Sequence, residues 1–151
     1  MIELGISTFG ETTLLEDGSK FSHFERIQQL LDEIKLADKV GLDIYGIGEH
    51  HRNDFAVSSP EMILAAASSM TEKITLTSAV SVLSSNDPVR VFQQFSTLDL
   101  LTKGRAELMV GRGSFSESFP LFGYDLKDYN ELFKEKLELL LKLNRYRILN
   151  G

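Results

Sequence analysis

The chain has 151 residues with no cysteine and no tryptophan, and its 16 basic and 22 acidic residues leave a formal charge of −6. Hydrophobic residues make up 42% and charged ones 25%, the balance of a single globular domain rather than a disordered segment. Without cysteine there are no disulfide frameworks, zinc-thiolate sites or thiol nucleophiles, and the acidic balance disfavours nucleic acid and anionic lipid as partners.

Residues 1–3 lack the basic and apolar regions of a secretory signal. The longest apolar run, residues 62–67, falls far short of a membrane span, so the expected location is the cytoplasm. Residues 1–6 form an apolar run ending at Ser7-Thr8-Phe9-Gly10, which predicts a buried strand and its turn. Ser22 and Glu25 have the spacing of a capping box. Behind them Phe24, Ile27, Leu31 and Ile34 recur at helical intervals, and Gly41 supplies the stop.

The unit then repeats. Residues 42–47 predict a second strand running into Glu49-His50-His51, and Ser59-Pro60 gives an N-cap with proline at the first helical position. Residues 74–83 predict a third strand, and Asp87-Pro88 opens a helix closed at Gly104. Residues 106–110 predict a fourth strand ending at Gly111-Arg112-Gly113, and Asp128 with Glu131 caps a last helix. Strand starts near residues 2, 43, 74 and 106 have the spacing of βα units in a parallel sheet, so the class is α/β. A flavodoxin-like doubly wound sheet needs about five strands and a (β/α)8 barrel eight. Four strands leave both open on the residues alone.

Polar residues gather where the strands end: Ser7 and Thr8, then Glu49, His50 and His51, then Ser84 and Asn86, then Arg112. Sites in parallel α/β folds are built at those ends. Adjacent histidines at a strand end point apart, so one of them faces a cleft, where a neutral-pH imidazole serves as acid or base. The plainer reading is a histidine that donates to a carbonyl and finishes the strand. His23 sits in the first turn of a helix, which disfavours a metal site. Arg112 between two glycines could hold a phosphate or carboxylate, or simply be a solvated side chain on a tight turn. Glu107 is odd in an apolar strand, and paired burial explains it as well as catalysis does. Residues 78–81 read as plain core. Phe115, Phe119 and Phe122 lie in a polar loop that could line an apolar cleft, cover the mouth of a barrel or pack under the last helix.

Taken in order, Glu49-His50-His51, Ala79-Val80 leading to Asp87-Pro88-Val89-Arg90, Leu98-Asp99 with Thr102-Lys103-Gly104-Arg105, and Gly111-Arg112-Gly113 resemble the bacterial luciferase-like flavin-dependent monooxygenases. The resemblance runs from about residue 2 to about residue 143, and residues 144–151 form a divergent tail. It implies one domain over residues 1–151, the N-terminal half of a (β/α)8 barrel with about four βα units. The implied activity uses reduced FMN, or F420 in some relatives, with O2 to oxygenate a small organic substrate, and a flavin reductase supplies the reduced FMN. By position, His50 would be the catalytic acid/base beside the flavin, with Glu49 as its catalytic neighbour. Ala79 and Val80 would form a non-prolyl cis peptide under the isoalloxazine ring, and Arg112 would bind the FMN phosphate.

The family's length implies a truncated chain or one half of a split protein. Half a barrel leaves two open parallel edges. That predicts a homo-oligomer, a complementing half-barrel, or marginal stability. Two alternatives stay open: a non-catalytic fragment or partner subunit without a full flavin site, and a flavodoxin-like electron carrier that binds oxidised FMN unaided.

Overall fold

Parallel strands laid down in sequence order, each followed by a helix, organise the chain. The computed structural model describes residues 2–150, with side chains through residue 145; Met1 and Gly151, the ends of the predicted first strand and of the divergent tail, lie outside the described residues.

The first strand, β1 (Gly5–Thr8), starts later than the apolar run predicts and takes in Ser7 and Thr8. Pairing decides this: β1 runs parallel to β2 (Ile44–Ile47), with Gly5 opposite Ile44 and Thr8 opposite Ile47. Helix α1 (His23–Val40) carries the full capping box, in which the Ser22 hydroxyl accepts from the Glu25 N–H and the Glu25 carboxylate from the Ser22 N–H. It ends at Gly41, whose φ of 85° is left-handed. Helix α2 (Pro60–Ser68) begins at the expected Ser59-Pro60, but the Ser59 hydroxyl bonds the Glu61 carboxylate instead of capping. Helix α3 (Pro88–Thr102) is capped by Asp87, which accepts from the Val89 N–H at 2.8 Å.

The third and fourth predicted strands are each broken in two. Residues 74–83 become β3 (Thr75–Ser78) and β4 (Ser81–Val82), separated by the cis peptide bond Ala79–Val80, and residues 106–110 become β5 (Ala106–Glu107) and β6 (Val110–Gly111). β3 pairs with β5 and β4 with β6, both parallel. The Ser78 hydroxyl bridges the gap by donating to the Met109 carbonyl at 2.8 Å and accepting from the Met109 N–H at 3.2 Å. A short helix α4 (Ser118–Leu121) and a 3-10 turn (Leu126–Asp128) lead into α5 (Tyr129–Asn150). The predicted cap Asp128 lies inside that turn. The capping side chain is Asp125, which accepts from the Lys127 N–H at 3.0 Å.

The sheet order is β1-β2-β3-β5, all parallel. A doubly wound sheet must reverse its strand order at a switch point, so this monotonic order removes the flavodoxin-like reading. It is the order of a (β/α)8 barrel through its first four units. Right-handed crossovers that all step the same way put the helices on one face, where Tyr45, Ile47 and Leu76 pack with Leu30, Ile34, Leu64 and Leu98. The opposite, concave face carries Ser7, Gly46, Thr77 and the exposed Glu107. Among the described residues no helix is long and apolar enough to cross a membrane.

Asp38 near the end of α1 ties that helix to the start of β3. Its carboxylate accepts from the backbone N–H groups of Glu72, Lys73 and Ile74 at 2.9, 2.9 and 2.7 Å. Burial pushes this carboxyl up, but the three backbone donors, with Arg105 nearby, outweigh it and hold the group below the ordinary aspartate range. A depressed folded-state pKa contributes stability above the unfolded value and loses it as pH falls through the folded value. Asp38→Ala should therefore cost about 2 kcal/mol at neutral pH, and the gap to wild type should narrow in acid. Urea denaturation at about pH 7 and about pH 3 measures both.

Gly111 lets the two broken strands approach. A Cβ there would lie 2.7 Å from Val80 Cγ2, too close for any real pair. Gly111→Ala should lose about 1–3 kcal/mol through overpacking, and adding Val80→Ala should recover part of that loss. Strict additivity in the double mutant cycle would mean that the two positions do not touch.

Candidate functional site

The chain leaving β2 carries Glu49, His50 and His51 into a corner also reached by Phe9 after β1, by Val80 and Val82 beside and in β4, and by the 113–118 segment after β6. These residues surround a cavity of about 40 Å³, room for little more than a water. Glu49, His50 and Val80 thus come together as expected. Ala79 and Arg112 border the corner without lining the cavity.

Glu49 is only 6% exposed, and both of its oxygens are engaged. Oε1 accepts from His51 Nε2 at 2.7 Å, while Oε2 accepts from the Val82 N–H at 2.9 Å and from Asn86 Nδ2 at 2.8 Å. A buried carboxylate needs such partners, and this one is a structural hub rather than a free acid.

His50 is boxed in by rings. It stacks on Phe55 with centroids 4.2 Å apart, and Phe9 and Phe115 meet it edge-on at 4.9 and 4.6 Å. Its backbone N–H donates to the Val57 carbonyl, and its Nδ1 lies 3.4 Å from Glu117 Oε1. His51 takes different neighbours, Glu49 and the edge of Phe122. His23, by contrast, is exposed and sits against the Asn53 carbonyl.

The bulge between β3 and β4 passes close to β2. A Cβ on Gly48 would strike the Phe9 ring and come within 3.1 Å of the Ala79 carbonyl oxygen, so only glycine fits there. The exposed Arg112 donates to Asn130 Oδ1 at 2.9 Å and lies 5.4 Å from the centre of the Tyr129 ring. Among the described residues no carboxylate forms an ion pair with it.

Other polar residues singled out from the sequence go elsewhere. Thr8 joins Glu11 and the buried Arg26, which pairs with Glu33. The Ser84 carbonyl accepts from the buried Lys136 ammonium, while the Ser84 hydroxyl has no partner. The loop phenylalanines divide: Phe115 and Phe122 meet the histidines, and Phe119 is buried against Tyr129.

Phe9, Phe55, Arg52 and Glu117 escaped the sequence reading as site residues. Arg52 lies 5.9 and 5.5 Å from the Phe55 and Phe115 ring centres, and Glu117 is 67 positions from His50. Loop residues this far apart carry no periodic signal. The only hint was a polar loop rich in phenylalanine.

The luciferase-like monooxygenase family matches residues 2–150. The limonene 1,2-monooxygenase of Rhodococcus erythropolis is 30% identical over 78% of this chain and 30% of its own length. The alkanal monooxygenase alpha chain of Photorhabdus laumondii is 28% identical over 82% of this chain and 35% of its own. Among solved structures, the oxygenating constituent of 3,6-diketocamphane monooxygenase from Pseudomonas putida, in complex with FMN, superposes with a TM-score of 0.81 at 22% identity, over 95% of this chain and 39% of that one. This chain therefore spans about a third of the length of the curated relatives it matches. With a family match over residues 2–150, the chain belongs to the luciferase-like monooxygenase family.

Proposed function

We propose that this chain supplies the flavin-facing half of a cytoplasmic flavin-dependent monooxygenase, which uses a reduced flavin and O2 to oxygenate a small organic substrate. One juxtaposition carries the reading: Val80 and the ring-boxed imidazole of His50 line one cavity at the carboxyl ends of neighbouring strands, with the Arg112 cation on the turn that leaves β6.

These residues suit a flavin nucleotide. Val80 offers an apolar surface to a planar ring, Arg112 a guanidinium free of carboxylates among the described residues for a phosphate, and His50 a group for moving protons. The cavity of about 40 Å³ at His50 is too small for an isoalloxazine, so the ring needs the wider surface outside it.

A bound reduced flavin supplies the electrons that activate O2, and the chain binds, orients and handles protons. Arg112 would neutralise the phosphate, and Ala79 and Val80 would back the ring. His50 would hold or deliver a proton at its ring nitrogen, with water kept out by Phe9, Phe55 and Phe115. Glu49 acts through others as a positioning residue, because its carboxylate is already committed to His51, Val82 and Asn86.

Reduced FMN is the preferred cofactor, with F420 as the alternative. A flavin reductase would supply FMN in reduced form, and a second copy or a complementing half-barrel would supply the remaining strands. The exposure of Arg112, held by one amide and one ring, favours one further reading, a non-catalytic partner subunit.

The test is an anaerobic titration with reduced FMN and with F420, followed by turnover with an alkanal and with limonene as trial substrates, using the chain alone and with a complementing half-barrel. His50→Ala should cut turnover about 100-fold or more, with flavin affinity changed less than about threefold. Arg112→Ala should weaken flavin binding about tenfold. Parallel loss of turnover and affinity in His50→Ala would make His50 structural. If neither cofactor binds in either format, the reading falls.

A further inference from the structure

We propose that Glu117 is a positioning residue for His50: its carboxylate accepts the Nδ1 proton and so leaves Nε2 as the proton-accepting nitrogen of the imidazole. The mechanistic use of this arrangement rests on the reading of His50 as acid/base given above; the arrangement itself does not.

A neutral imidazole has one donor and one acceptor nitrogen, and the hydrogen bond made by one nitrogen decides which is which. Around His50 the choice is narrow. Phe9, Phe55 and Phe115, which pack against its ring, offer only ring faces and edges. Glu49, the adjacent residue, is occupied by His51, Val82 and Asn86. Arg52, a cation over the Phe55 and Phe115 rings, is bound by Asp54. Ser118 lines the same cavity with a buried hydroxyl that has no partner, but the polar atom the structure brings to Nδ1 is Glu117 Oε1, 3.4 Å away, with the two side chains only 7% and 20% exposed.

This distance is long for a charge-assisted bond, and contacts of this kind shorten as a site fills. Glu117 also sits two residues beyond Phe115 on the segment that covers the imidazole. One segment therefore supplies both the Phe115 ring against His50 and the carboxylate at Nδ1.

The experiment uses the full 151-residue chain, labelled with nitrogen-15 and free of flavin, and reads the ring nitrogens in long-range proton–nitrogen spectra at a pH where those spectra themselves show His50 neutral. With three histidines in the chain, His23→Gln and His51→Gln assign the signals. Wild-type His50 should be the Nδ1–H tautomer. Glu117→Gln, whose amide oxygen still accepts, should keep it. Glu117→Leu should shift the tautomer ratio about tenfold toward Nε2–H, with His23 and His51 unchanged.

An Nε2–H tautomer in the wild type overturns the proposal with no variant needed. So does a Glu117→Leu spectrum identical to wild type. Because no flavin is present, failure here leaves the cofactor reading standing, and failure to bind flavin leaves this result standing.

Discussion

One buried carboxylate carries the geometry of the site. The regular ladder between β2 and its neighbour ends where the Ala79 N–H donates to the Ile47 carbonyl at 2.7 Å. Beyond it the chain turns through the Ala79–Val80 bulge, and β4 no longer pairs with β2. Glu49 takes over at that point. Its side chain accepts from the Val82 N–H, a bond the backbone ladder would otherwise supply, and from Asn86 just ahead of the α3 cap. A carboxylate can only accept, and a buried one is costly unless its donors are fixed. Strand β4, the loop to α3 and the His51 ring are therefore all positioned by one group on the chain leaving β2.

What could be read in the sequence follows the range of the interactions. The Ser22–Glu25 box and the Asp87 cap are local, and both are found where the residues predict them. Asp128 misled because Asp125, three residues earlier, takes the capping role through a 3-10 turn. The breaks in the third and fourth strands were invisible because they come from cross-strand pairing and from Ser78 bonding Met109 across 31 residues. Glu49 and His50 stood out by their place at a strand end, but the partners that define Glu49 lie 33 and 37 residues away. The cis bond at Ala79–Val80 was legible only through the family resemblance. By themselves the residues from Ser78 to Ser81 read as core.

The sheet is finished on one face only. Core side chains pack between strands and helices, while the concave face carries the exposed Ser7 and Glu107 beside the buried Thr77. Both edges carry apolar surface. On the β1 side Ile2, Leu4 and Ile6 are 85%, 62% and 49% exposed, and on the other side Phe92, Leu108, Val110 and Leu137 line a groove of about 430 Å³ between α3, β6 and α5. Parallel sheets are normally covered on both faces, and a closed ring takes eight strands. The four strand positions here form an arc of such a ring, and its two edges have the composition of surfaces continued by further strands.

The His50 corner and the Arg112 turn differ in how far this chain completes them. The surroundings of His50 are complete within this chain: three aromatic rings, one carboxylate and a backbone anchor enclose the imidazole in a small cavity. All of those groups lie within residues 9–117. Arg112 is in the opposite position. It is exposed at the end of β6, held by one amide and one aromatic face, and a single exposed guanidinium grips a phosphate weakly. On the proposed reading, completing the ring would act mainly on flavin affinity and leave the immediate contacts of His50 almost untouched. On that reading the proton-handling group would lie within the first four βα units, whereas the hold on the nucleotide would be shared with the later strands of a full barrel.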